Sequence, residues 1–89
     1  MKPHYTIKEL KFLYDSEHDV HYANTPVGIY GFAECGNKFL AKVQYVSGEK
    51  LDTVILSDSC TTKEEAIAIC TGHYLNEILR MLEKVENNS

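Results

Sequence analysis

Ser57-Asp58-Ser59-Cys60-Thr61-Thr62 sets hydroxyls, a carboxylate and a thiol directly before a long amphipathic run. Free backbone amides and the dipole at a helix start can hold an anion and lower the pKa of a nearby thiol. Ser59, Cys60, Thr61 and Thr62 are therefore the candidate anion-binding residues. A phosphatase built on Cys60 needs an arginine six residues later, and that position is Ala66. Ser, Thr and Asp also cap helices for structural reasons alone, so an ordinary helix entry accounts for the same composition.

Two other groupings invite a chemical reading. Cys70-Thr71-Gly72-His73 places a thiol and an imidazole one helical turn apart, a spacing that suits metal chelation or a nucleophile with its base. Cys70 falls on the apolar stripe of its helix, however, where a cysteine packs as a small hydrophobe. Asp15-Ser16-Glu17-His18-Asp19-Val20-His21 combines His18 and His21 with three carboxylates. Imidazole and carboxylate are ligands for divalent transition metals, but a solvated acidic loop has the same composition. No metal or cofactor is assigned. The chain has no P-loop, dinucleotide fingerprint, His-Glu-x-x-His or nucleophile elbow. The expectation is a non-enzyme, with a small enzyme using Cys60 and His73 or a nearby carboxylate as one alternative.

The elements that must position these residues are clearest in the middle of the chain. Gly36-Asn37 and Gly48-Glu49 each suit a two-residue hairpin loop, with glycine supplying the positive φ. Residues directly opposite in an antiparallel pair share a face. The first loop sets Phe32 opposite Ala41 and Tyr30 opposite Val43. The second sets Val43 opposite Val54 and Ala41 opposite Leu56. One face then carries Tyr30, Phe32, Phe39, Ala41, Val43, Tyr45, Val54 and Leu56. The other is mixed, with Ile29, Gly31, Ala33, Leu40, Lys42, Gln44, Thr53 and Ile55. The two turns agree on one core face, which predicts a three-stranded antiparallel meander. Its aromatic side chains could also stack single-stranded bases, but they are the only good cover for a helix.

Thr62-Lys63-Glu64-Glu65 is a capping box, so a helix is expected over about 62–86. Ile67, Cys70, Tyr74, Ile78, Met81 and Val85 share a stripe at helical spacing and should cover the sheet. Ala68, Leu75, Leu79 and Leu82 widen the apolar arc beyond what one sheet needs. Leu75, Ile78, Leu82 and Val85 are spaced like a short coiled-coil seam, which suggests homodimerisation through this helix. At the N-terminus, Thr6-Ile7-Lys8-Glu9 favours a helix over 6–15, with a fourth strand as the alternative. Residues 15–27 read as loop, with Asn24-Thr25-Pro26 as a turn. The fold expected over 1–89 is a single α+β domain: a three-stranded meander against a long C-terminal helix.

The strand-strand-strand-helix order after an N-terminal helix resembles that of double-stranded RNA-binding domains. That family carries basic residues at the start of its last helix. The matching segment here is Thr62-Lys63-Glu64-Glu65-Ala66, where Lys63 is basic and Glu64 and Glu65 have the opposite sign. The resemblance implies a nucleic-acid or nucleotide binder as a second alternative.

Composition points elsewhere. Thirteen acidic residues against nine Lys and Arg give a net charge of −4, the wrong sign for neutralising phosphates. Nucleic acid is therefore not an expected partner, and a protein with a basic surface is. Three cysteines, an odd number, argue for free thiols. No stretch reads as a membrane span or as the apolar core of a signal peptide, so a cytoplasmic location is expected. The functional expectation is a small acidic inhibitor or regulator that binds and occludes a protein partner. Short acidic anti-defence proteins of phages and other mobile elements share this size and charge. The candidate contact residues are Leu75, Leu79 and Leu82, with Glu64 and Glu65 as acidic contacts.

Overall fold

A computed structural model describes residues 10–87, with side chains described as far as Leu82. Its elements are β1 (Leu13–Asp15), β2 (Val20–Asn24), β3 (Ile29–Cys35), β4 (Lys38–Ser47), β5 (Lys50–Cys60) and α1 (Lys63–Asn87). The strands form one antiparallel sheet in chain order, β1-β2-β3-β4-β5. The chain is thus α+β, with a five-stranded sheet where three strands were expected.

The central hairpins follow from their turns. Gly36 and Gly48 both adopt φ of 64°, a conformation glycine enters without steric cost. Tyr30 pairs with Val43, Phe32 with Ala41, and Val43 with Val54, as the turns dictate. The expected pairing of Ala41 with Leu56 does not form. Register shifts at Ala41 set it opposite Ser57, and Phe39 opposite Cys60. Extra residues in β5 create bulges there, which is how Cys60 comes opposite Phe39.

The N-terminal expectations change most. Residues 10–15 are not helical, and β1 takes up Leu13–Asp15; the rest of the expected 6–15 helix lies outside the described residues. The segment read as loop contains β2, whose Ala23 pairs with Tyr30 and is buried. Gly28 lets the chain turn into β3 against β4: a Cβ there would lie 2.6 Å from the Gln44 carbonyl oxygen. In front of it, Thr25 Oγ1 donates to the Gly28 carbonyl and accepts from the amides of Val27 and Gly28, closing the turn.

The core lies between α1 and one sheet face. Tyr30, Phe32, Ala41, Val43, Cys60, Ala66 and Cys70 are buried, and Leu10, Phe12, Leu56, Ile67, Ile69 and Tyr74 pack around them. Phe12 meets Phe32 edge to face at 4.9 Å. Val54 shares this face but remains 44% exposed, because it stands on the outermost strand at the margin of the helix's cover. Of the expected stripe, Cys70 is fully buried and Ile67 and Tyr74 pack against the core, while Met81 is 48% exposed. Ala66, outside that stripe, is also fully buried, and His73 and Glu77 on the same side are partly buried. His73 meets the sheet through a hydrogen bond with Tyr30. The side chain of Val85 lies outside the described residues.

Candidate functional site

The helix start closes on itself. The Thr62 hydroxyl accepts the Glu65 amide at 3.1 Å. The Glu65 carboxylate accepts the Thr61 amide at 3.3 Å and the Thr61 hydroxyl at 2.7 Å. This is a capping arrangement, with Glu65 reaching back one residue further than the box alone implies. The anion at this helix terminus is therefore the chain's own Glu65. Ser59 is exposed, and the Cys60 thiol is buried at 1% exposure. Of the candidate acidic contacts, Glu64 is exposed beside the cap, and Glu65 is engaged within it.

Cys70 and His73 take separate roles. The Cys70 thiol donates to the Gly31 carbonyl across 3.8 Å. Burial pushes its pKa up to about 11, helped by the nearby Cys60, so it stays a thiol at neutral pH. His73 instead bonds Tyr30 at 2.7 Å through Nδ1, and its Nε2 lies 3.9 Å from Glu77. In the tautomer with its proton on Nε2, facing that carboxylate, Nδ1 accepts the Tyr30 hydroxyl. Burial raises the Tyr30 pKa well above the phenol range, so the donor keeps its proton. Nothing in the sequence pattern isolates this Tyr30-His73-Glu77 chain. The four-residue spacing of His73 and Glu77 was the one available signal.

The acidic loop also splits. Asp15, Glu17 and His18 bring one ligand atom each within 4.8 Å of one another. Asp15 is already committed to its own loop: Oδ1 accepts the amides of Glu17 and His18, and Oδ2 pairs with the His18 ring at 2.8 Å. His21 belongs to the other side of the sheet, stacked on Phe32 at 4.7 Å and beside Tyr14. The His18 and His21 side chains thus have different partners.

The aromatic face of the meander is not a stacking platform, since Tyr30 and Phe32 are buried at 0% and 1% exposure. Exposed apolar surface lies instead on α1 and along β1, β4 and β5. Leu79 is 46% exposed, Leu82 53%, and Leu75 is half-buried. Ile67, Thr71, Leu75, Ile78 and Leu82 follow one another at steps of three or four residues, so they form one flank. Toward the N-terminus this flank meets a groove of about 510 Å³ bordered by Glu64, Ile67, Ala68, Thr71 and Gly72. Thr71 Oγ1 is buried and has no hydrogen-bond partner among the described residues.

No protein-family model, curated protein or solved structure matches this chain.

Proposed function

We propose that this chain is a non-enzymatic protein-interaction module, an inhibitor or regulator that binds and occludes a protein partner through the apolar flank of α1. The observation that carries the reading is the exposure of Leu79 and Leu82 on the flank that also holds Leu75. Each buried side chain of this kind stabilises a complex by about 1.5–3 kcal/mol before the costs of association. The groove beside Ile67 and Thr71 extends the same surface. Exposed Glu64 borders it, and the net charge of −4 favours a basic partner. The burial of Cys60 and Cys70 supports a role without thiol chemistry.

The test is affinity capture from the native host with the wild-type chain and the Leu79→Asp/Leu82→Asp double variant, read by mass spectrometry. Both positions are exposed, so the double variant keeps its circular dichroism and melting profile. A protein enriched by the wild type and lost with the variant is the expected result. A capture profile that the double variant leaves unchanged contradicts the proposal.

A further inference from the structure

We infer that the free edge of β5 is a self-association interface, joining two copies of this chain antiparallel about a two-fold axis at Thr53. β5 is the outermost strand, and among the described residues nothing pairs with its outer side. Ser47 and Lys50 pair across the two-residue Gly48-Glu49 turn, so they exchange hydrogen bonds, and the pattern alternates from there. Lys50, Asp52 and Val54 therefore direct their backbone groups toward β4, and Leu51, Thr53 and Ile55 direct theirs outward.

Edge strands are normally blunted by shortness, proline, charge or bulges. β5 is 11 residues long and lacks proline. It exposes Leu51 at 55%, Val54 at 44% and Ile55 at 51%. The register shifts affect only its C-terminal part, beyond Ile55. A row of open backbone donors and acceptors is satisfied by an extended strand, so the occupant is a strand.

The residue order selects a second copy. With the axis at Thr53, Leu51 faces Ile55 of the partner, Thr53 faces Thr53, and Asp52 faces Val54. Aliphatic and Thr–Thr cross-strand pairs are favourable. Every outward backbone group then meets another outward group, and the match is the same from both copies, as a two-fold interface requires. Moving the partner by two residues in one direction sets Asp52 against Asp52. Moving it in the other sets Leu51 against Ser57, where the register shifts lie. The chosen register also extends existing apolar surface. Val46, 61% exposed, pairs with Leu51 inside one copy, and the partner's Ile55 continues that row, twice by symmetry.

The test is light-scattering mass on the full chain across micromolar to submillimolar concentration, with Thr53→Pro and Ile55→Lys as variants. The Thr53 amide points away from β4, so proline removes no backbone bond within the copy and only the exposed 3.5 Å contact from Gln44 Nε2 to the Thr53 hydroxyl, and Ile55 is exposed, so lysine keeps the fold. The wild type is expected at twice the 10.1 kDa chain mass, and both variants at the single mass with unchanged circular dichroism. A wild type that stays at 10.1 kDa overturns the inference and leaves the edge to a strand from another protein. A doubled mass that both variants retain, and that Leu79→Asp/Leu82→Asp abolishes, overturns it in favour of the helix.

Discussion

His73 links two elements through one polar contact. Its Nδ1 lies 2.7 Å from the Tyr30 hydroxyl, a hydrogen bond between α1 and β3. Tyr30→Phe removes the donor and strands a partly buried ring nitrogen, which costs about 1–2 kcal/mol; urea denaturation of the variant checks this. The cysteines separate by burial. Cys35 is exposed while Cys60 and Cys70 are buried, so iodoacetamide on the native chain at mild alkaline pH should label Cys35 alone, and all three after denaturation. Rapid native labelling of Cys60 would restore the thiol-enzyme alternative. At Asp15, the hydrogen bond from His18 holds the carboxyl below its ordinary value of 3.8. A depressed folded value adds stability above the unfolded pKa, and that stability is lost as pH falls through the folded value. Asp15 is solvent-facing, so the visible effect is on titration: in His18→Ala, the Asp15 carboxyl should titrate higher, as read by NMR.

At the scale of elements, strand pairing near glycine turns was legible and strand number was not. Gly36 and Gly48 fixed two hairpins because positive φ leaves little choice of turn, and every pairing between them and the bulge follows. The two shifts flanking Ala41 have no such marker, since each inserts one residue in β5 and costs only local pairing. β2 was missed because Val20-His21-Tyr22-Ala23-Asn24 mixes polar and small residues without the apolar alternation of a half-buried strand. Its inward residues, His21 and Ala23, work by stacking on Phe32 and by leaving room for Tyr30. Gly28 is the element-level test. A methyl there meets the Gln44 carbonyl oxygen at 2.6 Å and Val43 Cγ2 at 3.3 Å. Gly28→Ala should therefore destabilise by about 1–3 kcal/mol, the usual cost of overpacking, measured by thermal or urea unfolding. The capping box was fully readable. The partial burial of His73 was not, because its partner Tyr30 lies 43 positions away in the sequence.

For the molecule as a whole, one helix on one sheet face is a thin core, and a chain of this size buries only about 60% of its unfolded surface. Among the described residues, large apolar side chains lie exposed in three places: α1 at Leu79, Met81 and Leu82, the β4-β5 edge at Val46, Leu51, Val54 and Ile55, and β1 at Leu13 and Tyr14. Among the described residues, no helix is long and apolar enough to cross a membrane. The α1 flank is the surface proposed for a protein partner. Its most direct test is calorimetric titration of the protein captured by the wild-type chain, against wild type and against Leu79→Asp/Leu82→Asp, at two temperatures. The expected result is a negative heat-capacity change for the wild type, the mark of apolar burial, and at least about a tenfold loss of affinity in the variant, equivalent to about 1.4 kcal/mol. Equal affinity for both chains would show that the leucine flank is not the binding surface.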